Sequence, residues 1–213
     1  LPVFSVIMSK RSREAYDSVV TFIKNKYSTL NPSVIIADYD ARMQGAVKAA
    51  YPNARVVGSW FHYAHMLNKK ARQLGHADLL KTSNWARQLI KHTMALAFLP
   101  PDRIEDGYNA LVSLAAENEN LDKVMANFLE YVKRVWIEGV GAEAFSVCRQ
   151  RRRTLYAQEP YHHALLKKGQ SDIWTLTDSL RKQERFSVEK LKSIAIGSKC
   201  PRPPYVLAKA KVR

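Results

Sequence analysis

Three places in the chain hold residue types and spacings that can do chemistry. Asp38 directly follows the apolar run Val34–Ala37, and Asp40 stands two residues on. A carboxylate just past the C-terminal end of a buried strand lies at the sheet edge where α/β proteins place ligands. Carboxylates there can hold Mg²⁺, which takes one or two of them together with waters and phosphate oxygens. Asp38 or Asp40 can equally serve as the N-cap of the helix that follows. Glu159 and His162, in Glu159-Pro160-Tyr161-His162, would share a helix face, where a carboxylate beside an imidazole binds a cation or moves a proton. The same residues also suit a plain helix start, with Glu near the positive dipole end and Pro at the first helical position. His62 and His65 share a helix face behind Ser59. With Cys at position 59 this would be half of a zinc site. Ser59 lacks the thiolate, so zinc is not expected and a packing or hydrogen-bonding role is favoured for His62.

The elements that must position these residues are legible in the apolar spacing. Val3–Met8, Val34–Ala37 and Ala54–Gly58 read as strands; Arg13–Tyr27, Ala41–Tyr51 and Phe61–Leu74 read as helices. Asn31-Pro32, Pro52 and Gly75 punctuate them. Strands alternating with helices at this spacing predict crossover connections and parallel pairing wherever the crossovers join neighbours. From about Leu79 to Glu138 the pattern changes to three helices and no convincing strand: Ser83–Phe98, a second capped by Asp102 and running to about Glu117, and Leu121–Trp136. Ala157–Lys168 reads as a helix start and Asp172–Lys192 as a helix. Trp60, Trp85, Trp136 and Trp174 lie amid apolar periodicity and are expected in the core.

Composition bounds the function classes. The chain has 213 residues, 46% hydrophobic, enough to bury a core. No apolar run is long enough for a membrane span, and no secretory signal is visible. Cys148 and Cys200 are far apart and form no CxxC, which disfavours a disulfide scaffold. No GxGxxG, Walker A or GxSxG is present, so no small-molecule cofactor is expected. The formal net charge is +15, and it is uneven: from Arg149 to Arg213 there are 16 Lys and Arg against 5 Asp and Glu. The densest cluster is Arg149, Arg151, Arg152 and Arg153, with Lys167 and Lys168 beyond it. Guanidinium forks suit phosphates, so this region reads as a polyanion contact driven by counterion release, or else as a solvated basic surface.

At these residues the sequence resembles a known family. VIIADYDARMQGAVKAAYPNARVVGSWFHYAHMLNKKARQLG, the middle block LAFLPPDRIEDGYNAL and TLYAQEPYHHALL followed by IWTLTDSL resemble, in order and spacing, the MULE transposase domain of Mutator-like elements, in the animal form associated with FLYWCH zinc fingers. The resemblance covers roughly residues 1–195. It implies a ribonuclease-H-like α/β core with an all-α insertion, and metal-dependent DNA cleavage and strand transfer by two Mg²⁺ or Mn²⁺ ions. On it, Asp38 matches the second catalytic acid and metal ligand, and Glu159 the third, with His162 and His62 in support. It implies DNA as partner and a nuclear location, and it admits a homo-oligomer. The expected division is 1–77 as part of the core, 78–145 as the helical insertion, 146–195 as the basic, Glu-bearing return to the core, and 196–213 as a disordered basic tail. The family's first acid lies on a strand before the segment matching Leu1, so the chain reads as an N-terminally truncated form. Ser59, Leu155, Tyr156 and Pro160 replace family residues and mark it as partly degenerate. The implied activity is therefore absent in this form. The alternative is a domesticated, non-catalytic nuclear protein that binds DNA or another protein.

Overall fold

A computed structural model of the chain describes residues 4–117, 119–154 and 172–198. It is a mixed α/β structure, mostly helical, that divides into two compact units: Met8–Leu155, and Leu1–Ile7 together with Tyr156–Arg213.

The first unit begins with helix α1 (Arg13–Lys26), whose N-cap Ser12 accepts from the Ala15 amide at 3.3 Å. Strands β1 (Val34–Ala37) and β2 (Arg55–Gly58) pair in parallel, in register from Val34 opposite Arg55 to Ala37 opposite Gly58. Parallel strands need a crossover, and helix α2 (Ala41–Ala50) supplies it. Pro52 disfavours helical backbone at Tyr51, and α2 stops there. Val20, Ala46 and Tyr51 are buried where α1 meets α2, and Lys24 donates to the Ala50 carbonyl at 2.7 Å.

After β2 the chain is helical: α3 (Trp60–Gln73), a turn at Gly75 with φ +83°, α4 (Ala77–Thr82) and α5 (Asn84–Ala95). Two 3₁₀ turns, Leu96–Phe98 and Pro101–Arg103, lead to α6 (Ile104–Ala116). Helix α7 (Glu119–Tyr131) continues as a π-helical stretch, Val132–Val140, followed by the short α8 (Ala142–Phe145). These helices and the strands share one core. Val57 of β2 and Tyr63 and Leu67 of α3 pack with Leu89, Ile104, Phe128, Trp136 and Phe145. Trp136 is its hub: Tyr39 and Tyr63 meet it edge-on at 4.8 and 4.6 Å between ring centroids, and its indole N–H donates to the Tyr131 hydroxyl. Such edge-to-face pairs add about 0.5–1.5 kcal/mol each beyond area burial.

In the second unit, α9 (Ile173–Ala195) starts at Asp172, whose carboxylate accepts from the Thr175 amide at 2.7 Å. The expected helix start at Ala157–Lys168 and the tail beyond Ser198 lie outside the described residues.

Four sequence expectations are corrected. Phe4–Met8, the described part of the expected first strand, is not a strand, and Phe4, Val6 and Ile7 are exposed; β-branched residues become strand only against a ladder partner, and among the described residues the sheet has two strands. Asp102 does not cap α6: it lies inside a 3₁₀ turn, and Arg103 holds the cap position without a side-chain bond. The third middle helix runs past Trp136 because the chain widens there into a π-helix. Of the tryptophans only Trp136 is in the core proper; Trp60 is half-buried, while Trp85 and Trp174 are exposed.

Candidate functional site

The turn between β1 and α2 separates the jobs of the two neighbouring carboxylates. Asp40 is the N-cap: its Oδ1 accepts from the Arg42 amide at 3.0 Å. The Arg42 guanidinium grips both Asp40 oxygens, at 3.1 and 2.9 Å, and the Tyr16 hydroxyl donates to Oδ2 at 3.4 Å. The Arg42 side-chain hydrogen bond holds the Asp40 carboxyl below the usual carboxylate range, and backbone donors add to it. Asp38 caps nothing. Its carbonyl accepts from the buried Gln44 amide at 2.9 Å, which fixes the turn, and its carboxylate stands half-exposed past the end of β1.

His62 reaches Asp38 because the ladder continues one step past β2. The Ser59 amide donates to the Ala37 carbonyl at 3.1 Å, so α3 starts beside the C-terminal end of β1. His62, in the first turn of α3, then stands with Nδ1 2.7 Å from Asp38 Oδ1. The two atoms are close without forming an aligned hydrogen bond, since Nδ1 has no partner of proper hydrogen-bond geometry. Ser59 is fully buried with its hydroxyl unpartnered, so it occupies a closed position facing core rather than cleft.

Asp38, Tyr39, Asp40, Arg42, His62, His65, Met66 and Arg11 line one open cleft of about 510 Å³, together with Ala41. Tyr39 ties its floor to the core through Trp136, and burial pushes the Tyr39 phenol well above its ordinary range. The Arg42 guanidinium also donates to the Arg11 carbonyl at 2.5 Å, while the Arg11 side chain forms no ion pair among the described residues. The sequence pointed to Asp38, Asp40, His62 and His65; Arg11, Tyr39, Arg42 and Met66 were missed. An Arg two residues after a capping Asp was a readable signal for Arg42, whereas Arg11 joins the cleft only through the packing of α1 on α2.

The donor set does not fit a Mg²⁺ or Mn²⁺ site by itself. Asp40 spends both oxygens on Arg42 and Tyr16, leaving Asp38 as the one available carboxylate, and among the described residues no three His, Cys, Asp or Glu side chains gather to hold a metal. Glu159, His162, Lys167 and Lys168 lie outside the described residues.

The arginine cluster is a second feature of the same unit. Arg149, Arg151, Arg152 and Arg153 are all exposed. Their loop is pinned by backbone bonds: Val147 N–H to the Ala97 carbonyl at 2.7 Å, Gln150 N–H to Val147, and Trp60 N–H to the Arg153 carbonyl at 2.9 Å. The last of these satisfies an amide in the first turn of α3, whose N-cap Ser59 makes no side-chain cap. Arg149 sits at φ +58°, a conformation costly for a residue with a side chain.

The fold and site define a mixed α/β protein with a carboxylate–imidazole cleft at the end of a parallel strand pair and an arginine loop tied down by backbone hydrogen bonds. No family model, no curated protein and no solved structure matches the chain. Among the described residues, no helix is long and apolar enough to cross a membrane.

Proposed function

We propose that the chain is a Mutator-like transposase domain with a ribonuclease-H-like core, retained as a nuclear DNA-binding protein. The observation that carries this reading is Asp38: it ends the first of two parallel strands joined by a helical crossover, it is released from capping by Asp40, and it opens on a cleft with His62 beside it. That is the position the resemblance requires for the second acid of the set. Glu159 would supply another. A further acid has to come from a strand on the outer edge of β1, which carries no partner among the described residues. On this reading residues 1–213 bind DNA through Arg149 and Arg151–Arg153 and do not cut it.

The contact of Asp38 with His62, and the ion pair of Asp40 with Arg42, favour a second reading over an active enzyme: a domesticated binding protein whose carboxylates at this strand end are engaged by neighbouring side chains. One assay addresses both. Supercoiled plasmid is incubated with the protein and Mg²⁺ or Mn²⁺, and DNA binding is measured alongside. The expected result is salt-sensitive binding without nicking or joining. Metal-dependent nicking that disappears in Asp38→Asn would overturn the non-catalytic assignment. Absence of DNA binding at low salt would remove the DNA half and leave protein interaction alone.

A further inference from the structure

The arginine loop does not stand alone on its surface. Phe98, at the end of the first 3₁₀ turn, is 38% exposed and stacks on Trp60, with ring centroids 5.4 Å apart and planes 29° apart. The Arg153 guanidinium lies over the Phe98 ring, 5.1 Å from its centroid. Trp60 is held in place by its indole N–H, which donates to the Met94 carbonyl at 3.1 Å, and by its backbone N–H, which donates to the Arg153 carbonyl at 2.9 Å. Arg149, Arg151 and Arg152 lie within four residues of that stack and form no ion pair among the described residues. An anchored, half-exposed ring capped by a planar cation, next to three exposed guanidinium groups, combines a stacking surface with a phosphate-binding one.

We propose that Phe98, Trp60 and Arg153 form a stacking platform for an unpaired base, and that Arg149, Arg151 and Arg152 hold the phosphates of the same single strand. A duplex keeps its base faces covered and can use only the arginines. A single strand can also lay a base on the Phe98–Arg153 pair, and it gains the stacking contribution that single-strand-binding proteins draw from aromatic side chains. Every base has a π-face, so the platform is indifferent to sequence and selects strandedness. This deepens the DNA-binding half of the proposed function and does not depend on any catalytic role for Asp38.

The test is fluorescence anisotropy with labelled oligothymidylate and a mixed-sequence duplex of matched length, on the full chain at one fixed salt concentration. The wild-type protein is expected to bind the single strand at least fivefold tighter than the duplex. Phe98→Leu keeps apolar bulk on Trp60 but removes the ring face. It should weaken single-strand binding by about 5- to 100-fold, the range that base–aromatic stacking supplies, and change duplex binding less than twofold. Arg153→Lys, which keeps the charge and loses the plane, should shift in the same direction, and circular dichroism melting checks that both variants remain folded. Equal loss on both DNAs, or no loss on either, in a folded Phe98→Leu protein would overturn the platform. Duplex binding without a single-strand preference would overturn the platform and leave the proposed function standing. Absence of binding to either DNA would overturn both.

Discussion

Asp38 and Asp40 are chemically identical and two residues apart, yet the structure gives them opposite duties, and this separation is measurable. Asp40→Ala removes the cap of α2 and the grip of Arg42. It should cost about 1 kcal/mol of stability, as N-cap deletions do, and lower the thermal midpoint by several degrees. Asp38→Asn removes only a half-exposed pair with His62 and should cost less than about 1 kcal/mol. Reversed magnitudes would mean that the carboxylate beside His62 is the structural one. The pH dependence has a defined sign. The Asp40 carboxyl is depressed in the folded state, chiefly by the Arg42 hydrogen bond. The stability it contributes is therefore present above the unfolded carboxylate range, about pH 3.9, and is lost as pH falls through the lower folded value. Acid titration of the melting midpoint should show that loss in the wild type and a weaker one in Asp40→Ala. The strand-then-Asp signal was readable in the sequence, but which Asp capped the helix was not, because both spacings allow it.

At the scale of elements, the site depends on how β2 hands over to α3. Gly58 ends β2 buried, and a Cβ placed there would collide with the hydroxyl end of the Tyr39 ring. Tyr39 in turn rests edge-on against Trp136, which blocks its retreat toward the core. Gly58→Ala is therefore expected to destabilise the fold by about 1–3 kcal/mol, as overpacking does, and to displace the turn that carries Asp38. Urea unfolding measures the first effect. The second should appear as loss of the His62–Asp38 proximity, seen as a shifted His62 signal in NMR. A neutral Gly58→Ala would show that the β1–α2 turn is looser than its contacts with β2 and Trp136 imply. The strands Val34–Ala37 and Arg55–Gly58 and helices α1, α2 and α3 were legible within a residue or two, since local periodicity and Pro or Gly punctuation define them, whereas α4 was not read as a helix. Phe4–Met8 and the π-helical widening at Val132–Val140 were not, since both depend on what the segment packs against.

For the whole molecule the controlling quantity is charge. If the chain binds DNA as proposed, a net +15 with its densest cluster in one pinned loop predicts that the affinity falls steeply with salt. Replacing Arg149, Arg151 and Arg152 with Gln should flatten the slope of log K against log salt on a duplex by up to about 3 and leave the melting midpoint nearly unchanged, because all three side chains are exposed. An unaltered slope would place the DNA contact elsewhere on the molecule. The amino-acid sequence by itself determined the charge asymmetry, the parallel strand–helix–strand order, the helical middle and the position of Asp38 past a strand end, because composition and short-range periodicity specify each of these. Only the tertiary structure decided that Asp40 caps and Asp38 does not, that His62 stands 2.7 Å from Asp38, that Arg11 and Tyr39 complete the cleft, and that Arg153 lies over Phe98. His62 and Asp38 are 24 positions apart and Arg153 and Phe98 are 55, the capping turns on a choice between neighbours, and the packing of α3 and the 3₁₀ turn around Trp60 and Trp136 settles them where local propensity is silent.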